Sequence, residues 1–115
     1  MINYEKSNLL VGTPVSSGVV NSECLIIDDV KNIGDVKDKI LVTKSTDPGW
    51  AFLLKDAKGL ISERGSLLSH TAIISRELGI PAVVNIKNAT NILKNGDFVK
   101  LDADNGEIEI LKKLR

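Results

Sequence analysis

Residues 63–85 read ERGSLLSHTAIISRELGIPAVVN and contain His70, the one histidine of the 115-residue chain. Ser69 is a favourable N-cap residue, which predicts that a helix begins at His70. Apolar residues then recur at helical spacing, and Gly79 followed by Pro81 predicts the end of this helix. The stretch therefore predicts a turn, a short helix with a histidine at its start, and a strand.

The position of His70 indicates chemistry with anions. The first backbone N–H groups of a helix have no partner within the helix, and the positive end of the helix dipole lies there. Such an end binds anions and favours a neutral imidazole with a free lone pair. The hydroxyls of Ser66, Ser69 and Thr71 are candidate phosphate-binding groups. The pattern predicts that His70 is a nucleophile that accepts a phosphoryl group.

The sequence favours other roles for His70 less strongly. A lone histidine in a domain is often structural or simply exposed. The chain has no second histidine and no cysteine pair at ligand spacing, so we predict no metal site. Neither Ser69 nor Cys24 lies in a G-x-S-x-G or similar nucleophile motif, which disfavours a catalytic triad.

Composition places the chain among cytoplasmic single-domain proteins. Fifteen basic residues balance fifteen acidic ones and aromatic residues make up 3%, so we predict no nucleic-acid partner. No apolar run approaches the roughly 18 residues of a membrane span, so no membrane association is expected. Cys24 has no cysteine with which to form an internal disulfide, which is typical of a reducing compartment.

The order of elements predicts one mixed α/β domain. Residues 1–8 are predicted to be a flexible N-terminal segment, and residues 9–115 the folded domain. A βαβ unit, with parallel strands, is expected around the helix that follows Pro48. Apolar runs predict strands at 19–28, 40–43, 59–62 and 82–85, a short helix at 88–93, and a hairpin of 98–101 with 107–111.

Several single residues carry more specific expectations. Thr46 or Asp47 is predicted to cap the first helix, and Gly59 to end it in the left-handed conformation. Trp50 and Phe52 are predicted to pack in the core or between the layers.

Two further expectations concern a turn and an ion pair. The run Gly12-Thr13-Pro14 predicts a turn. Arg76 lies well around the helix from His70, so a structural ion pair, with Glu63 or another carboxylate, is preferred to a phosphate contact.

The run GSLLSHTAIISRELGIPAVV at residues 65–84 closely resembles the phosphohistidine signature of PEP-utilising enzymes. That family includes phosphoenolpyruvate synthase, pyruvate phosphate dikinase, enzyme I of the sugar phosphotransferase system and rifampicin phosphotransferase. Its pattern is roughly G-G-x-x-S-H-x-A-I-x-A-R-E-x-G-I-P-A-V-V. The resemblance extends over residues 9 to 111, including Thr46-Asp47-Pro48 and the terminal hairpin.

The resemblance implies a swivelling β/β/α domain of three layers, with a central parallel sheet and additional antiparallel strands. It implies that His70 accepts a phosphoryl group from ATP or PEP and passes it to pyruvate or another acceptor. Two positions depart from the family. Ser66 replaces the second glycine of the pattern, and Leu68 replaces the threonine of dikinases that are regulated by phosphorylation, so that mode of control is not expected.

The resemblance also defines what must lie outside these residues. No cofactor is expected to bind this domain, and Mg²⁺ and ATP are expected on a partner domain. The partners would be an ATP-binding, ATP-grasp-like domain and a domain that binds PEP, pyruvate or another acceptor, in cis or in trans. The alternatives are a stand-alone phosphohistidine carrier and a non-catalytic interaction domain, each acting in trans with partner proteins.

Overall fold

The computed structural model describes residues 9–27, 35–46 and 48–113. The predicted flexible segment 1–8 lies outside the described residues. The strands are β1 (Leu9–Val11), β2 (Thr13–Ser16), β3 (Val19–Ile26), β4 (Ile40–Thr43), β5 (Gly59–Ser62), β6 (Ala82–Val84), β7 (Phe98–Asp102) and β8 (Glu107–Lys112). The helices are α1 (Ala51–Leu54), which follows a 3₁₀ turn at Pro48–Trp50, α2 (His70–Leu78) and α3 (Ala89–Ile92).

The eight strands form one mixed sheet in the order β1-β8-β7-β3-β4-β5-β6-β2. The four central strands, β3 to β6, are parallel, and the remaining pairs are antiparallel. The passage from β4 through α1 to β5 forms the predicted βαβ unit, and α2 makes the next crossover to β6. Strands β7 and β8 form the predicted hairpin.

Two hydrophobic clusters divide the domain into three layers. Neighbouring residues of a strand point to opposite faces, so Leu41 of β4 joins one cluster while Ile40 joins the other. Leu54 of α1 and Ala72 of α2 pack in the cluster of Leu41. The other cluster unites the second face of the parallel strands with α3 and the antiparallel hairpin, through residues that include Val42, Ile61, Ala89, Val99, Leu101 and Ile108. The layers are therefore helix, parallel sheet and antiparallel sheet, which confirms the predicted β/β/α architecture.

Close contact between the two sheet layers explains Gly59. This residue opens β5 and does not adopt a positive φ, so its predicted role as a left-handed helix end is wrong. A Cβ atom at Gly59 would lie 2.5 Å from Cδ2 of Leu101 on β7. A side chain at position 59 would displace Leu101, so glycine allows the close approach of the antiparallel layer.

The first helix is shorter than predicted, and of its two predicted cap residues only Thr46 is among the described residues. It begins after Trp50, which provides no side-chain cap, and it ends at Leu54. The hydroxyl of Thr46 contacts Thr71 of α2 instead, and Asp47 lies outside the described residues. Trp50 is buried as predicted, but Phe52 is 59% exposed, so its predicted burial is wrong.

Cys24 lies in the interior of the sheet. Burial raises the pKa of its thiol to about 12, and the nearby carboxylate of Asp97 adds to the effect. The residue therefore packs as a small apolar side chain. No helix in the described ranges is long and apolar enough to cross a membrane.

Candidate functional site

His70 is the first residue of α2, as predicted, and its neighbours fix the start of that helix. Ser69 has an extended backbone, and its Oγ accepts a hydrogen bond of 3.4 Å from the N–H of Ala72. The carbonyl of Ser69 accepts a further bond of 3.1 Å from the N–H of Ile73. Gly79, with a φ of 72°, ends the helix in the left-handed conformation.

The turn before His70 is held by bonds among its own residues. The carbonyl of Ser66 accepts from the N–H of Ser69 at 3.1 Å and from its Oγ at 2.8 Å. The Oγ of Ser66 accepts from the N–H of Leu68 at 3.3 Å. Gly65 has a φ of 142°, and a Cβ atom there would lie 3.0 Å from Cγ1 of Val84. The turn therefore requires glycine at position 65, where the chain passes over β6.

Arg76 connects this turn to the rest of the domain. Its Nε donates a hydrogen bond of 2.8 Å to the carbonyl of Val15 on β2. Its Nη2 donates another of 2.8 Å to the carbonyl of Leu67. Arg76 is therefore structural, as predicted, but its partners are backbone carbonyls, and no carboxylate among the described residues pairs with it.

Glu63 instead binds the start of α3. Its Oε2 accepts from the N–H of Thr90 at 2.9 Å and from the Thr90 hydroxyl at 2.6 Å. These two bonds lower the pKa of the Glu63 carboxyl, and Lys44 and Arg64 add smaller electrostatic contributions. The carboxylate of Glu63 is thus bound at the positive end of α3.

A cleft of about 210 Å³ opens beside His70. The imidazole is exposed, and no described residue hydrogen-bonds to it. The backbone N–H groups of His70 and Thr71 likewise have no hydrogen-bond partner within residues 9–27, 35–46 and 48–113. The cleft is lined by Ser45, Thr46, Arg64, Gly65, Ser69, His70 and Thr71.

The three hydroxyls predicted to bind phosphate occupy different places. Thr71 and Ser69 line the cleft, but the Ser69 hydroxyl is engaged with the helix cap and with Ser66. The hydroxyl of Thr71 contacts that of Thr46 across the cleft wall. Ser66 does not line the cleft, and its hydroxyl bonds within the turn.

Sequence reasoning missed Ser45, Thr46 and Arg64 as residues of this cleft. They come from the segments that follow β4 and β5, two parallel neighbours whose pairing continues beyond the strands. The N–H of Glu63 bonds to the carbonyl of Thr43, and that of Arg64 to the carbonyl of Lys44, each at 3.0 Å. The carboxyl ends of neighbouring parallel strands meet at one edge of a sheet. From this rule, the residues that follow β4 and β5 could have been predicted to lie together.

The cleft combines an exposed imidazole, free N–H groups, hydroxyls and one arginine. No group of three or more His, Cys, Asp or Glu side chains among the described residues is placed to hold a metal ion. Fold and site together define a three-layer α/β domain with an exposed histidine at the start of a helix, beside a cleft.

A profile of the family "PEP-utilising enzyme, mobile domain" matches residues 35–106. The chain belongs to this family.

Curated relatives are much longer than the chain. It is 43% identical over 112 residues to a rifampicin phosphotransferase of Bacillus cereus, covering 94% of this chain and 13% of the relative. It is 39% identical over 107 residues to a phosphoenolpyruvate synthase of Neisseria meningitidis, covering 92% of this chain and 14% of the relative. The chain thus spans about an eighth to a seventh of these relatives.

A solved structure supports the same family. The solution structure of Enzyme I superimposes with a TM-score of 0.59 and 32% identity, over 65% of this chain and 31% of that one.

Proposed function

We propose that the domain carries a phosphoryl group on His70, taking it from one active site and delivering it to another. The observation that supports this most strongly is the exposed imidazole of His70 at the start of α2, beside a cleft and two free backbone N–H groups. The family and the phosphotransferases among its relatives agree with such a role.

The transfer is a substitution at phosphorus in two stages. The lone pair of an imidazole nitrogen forms an N–P bond, and the bridging P–O bond of ATP or PEP breaks with its electron pair remaining on the donor oxygen. In the second stage an acceptor oxygen attacks phosphorus, and the N–P electron pair returns to the imidazole. The acceptor is pyruvate or another molecule with a suitable oxygen.

The helix start would hold the transferred group. The N–H groups of His70 and Thr71 lie at the positive end of α2, where they can donate to phosphoryl oxygens. The hydroxyls of Thr71 and Ser69 border the same space. Ser66 contributes by shaping the turn, because its own oxygens bond to Leu68 and Ser69.

The domain needs partners to complete a reaction cycle. We propose an ATP-binding, ATP-grasp-like domain that holds Mg²⁺ and ATP, and a second domain that binds PEP, pyruvate or another acceptor. The long relatives support a place within a larger phosphotransferase, with the partners in cis, and a cytoplasmic setting suits the ATP supply.

The decisive experiment supplies a donor in trans. The 115-residue chain is mixed with the Bacillus cereus relative lacking its matched segment, and with radiolabelled ATP or PEP. We expect an adduct on the chain that is labile in acid and stable in base, and we expect none with His70→Ala. Label on His70→Ala equal to that on the parent would overturn the proposal.

The chain could remain unlabelled simply because the two separate proteins do not bind each other, and a control must distinguish this case. The control is the same chain fused back into the relative in place of the matched segment, assayed for the same adduct. If neither arrangement labels the chain, the phosphoryl-carrier proposal is wrong and the interaction-domain alternative remains.

A further inference from the structure

We propose that Arg64 is the counterion of the phosphoryl group on His70 and of the anionic donor as it approaches. This inference rests on the proposed function and adds a residue to the same site. Arg64 is the one permanently charged side chain among the described residues that line the cleft with His70.

The backbone of Arg64 is fixed while its side chain stays available. Its N–H donates to the carbonyl of Lys44 at 3.0 Å, and its carbonyl accepts from the Ser62 hydroxyl at 2.7 Å. Its guanidinium is exposed and makes no hydrogen bond or ion pair with a described residue. A positioned backbone with an unpaired guanidinium is suited to bind an incoming anion.

Two other charged side chains of this region, Arg76 and Glu63, already have hydrogen-bond partners. Arg76, the more obvious cation in the sequence, donates to the carbonyls of Val15 and Leu67. Glu63, the acidic neighbour of Arg64, binds Thr90 through Oε2. Among the described residues that line the cleft, Arg64 therefore carries the one permanent charge, and it lies beside the positive end of α2.

The chemistry of the carried group requires such a charge. A phosphoryl group on an imidazole nitrogen bears up to two negative charges, whereas the empty site bears none. Guanidinium binds phosphate oxygens through two parallel N–H donors, and these charge-assisted bonds are stronger than the neutral ones from hydroxyls. Arg64 would favour the loaded state and the doubly charged form of the phosphoryl group.

The test uses Arg64→Gln, with Arg64→Lys to retain the charge and Lys112→Gln as a control on the exposed face of β8. Each chain is phosphorylated with potassium phosphoramidate, a small anionic donor that needs no partner protein. The adduct is then titrated by ³¹P NMR. We expect the phosphoryl pKa to rise by about half a unit in Arg64→Gln, and to stay near the parent value in Arg64→Lys and Lys112→Gln.

A second readout follows inorganic phosphate itself. Titration of the amide signals of Gly65 and Thr71 should give phosphate binding about tenfold weaker in Arg64→Gln, with a smaller dependence on salt. Because the Arg64 guanidinium makes no hydrogen bond or ion pair with a described residue, the melting temperature should change little.

Two results would overturn the inference. One is a phosphoryl pKa in Arg64→Gln equal to that of the parent, and the other is unchanged phosphate affinity and salt dependence. Neither result would contradict the labelling of His70 by a partner, so the proposed function would stand. The opposite outcome is also possible. If no partner labels His70, but Arg64→Gln changes both the phosphoryl pKa and the phosphate affinity, the phosphoryl-carrier proposal is refuted and Arg64 remains an anion-binding residue.

Discussion

Nη2 of Arg76 lies 2.8 Å from the carbonyl oxygen of Leu67, and this bond joins the last turn of α2 to the loop that precedes its first residue. Nε of the same guanidinium holds the carbonyl of Val15 on β2, also at 2.8 Å. One side chain thus sets the position of His70 relative to both its loop and the sheet. A lysine has a single point of charge and cannot reproduce this fork.

We predict that Arg76→Lys lowers the free energy of unfolding by about 1–2 kcal/mol, since two hydrogen bonds from a charged donor are lost or weakened. It should also slow the labelling of His70, because the loop is less firmly held. Chemical denaturation and the labelling assay measure the two effects. Lys87→Ala, an exposed site on another loop, should change neither, and equal behaviour of the two variants would contradict the role of Arg76.

Gly65→Ala is expected to destabilise the domain by about 1–3 kcal/mol, because the residue has a φ of 142° and its new methyl group would press against Val84. The matched control is Gly79→Ala, where φ is 72° and no atom lies within 4 Å of the added Cβ. We expect the control to cost about 1 kcal/mol and to leave labelling of His70 unchanged. A smaller loss at position 65 than at position 79, measured by urea unfolding, would refute the steric argument.

The Glu63–Thr90 contact predicts a pH dependence of stability. A carboxyl whose pKa is lowered in the folded state stabilises the fold above its unfolded pKa, and this contribution is lost as pH falls through the folded value. Stability of the parent should therefore fall between about pH 5 and pH 3 more steeply than that of Glu63→Gln.

At neutral pH, Thr90→Val should cost about 1 kcal/mol, since it removes one of the two donors to Glu63. Thermal unfolding across the pH range measures both effects. Glu109→Gln, at an exposed position of β8, provides the comparison. If it changes the pH profile as much as Glu63→Gln does, the assignment to the Thr90 contact is wrong.

Ser75 offers a substitution that should stabilise the protein. Its hydroxyl is fully buried on α2 and has no hydrogen-bond partner among the described residues. Removing a buried, unpaired hydroxyl recovers its desolvation cost, so Ser75→Ala should raise the free energy of unfolding by about 1 kcal/mol.

Ser17→Ala, at an exposed serine, should have no comparable effect. Scanning calorimetry distinguishes the two variants. A loss of stability in Ser75→Ala would mean that the hydroxyl has a partner after all.

Local patterns were sufficient for most of the fold. The apolar run of β4, the cap of α2 at Ser69 and the turn of the β7–β8 hairpin each depend on neighbouring residues, and each was predicted correctly. Strand β2 was missed because Pro14 indicated a turn. An edge strand tolerates proline, and β2 is an edge strand beside β6.

The histidine could be found from the sequence, but the cleft around it could not. Thr46 and Arg64 are 18 positions apart and meet because β4 and β5 are parallel neighbours whose ends lie together. Phe52 shows a second limit of prediction from sequence, which concerns burial. Its type predicts burial, yet α1 presents it to solvent, and hydrophobicity alone does not reveal which face of a short helix is covered.

The pairing of β1 with β8 has a mechanical consequence for the domain. Leu9 is the register partner of Glu109, and antiparallel partners are separated by only about 5 Å between Cα atoms. The start of β1 at Leu9 and the end of β8 at Lys112 therefore lie at the same end of this strand pair, about 10 Å apart along β8. Within a longer polypeptide, such a domain would be joined to its surroundings at one end of this strand pair, so linker length and stiffness would limit how far the domain as a whole could move.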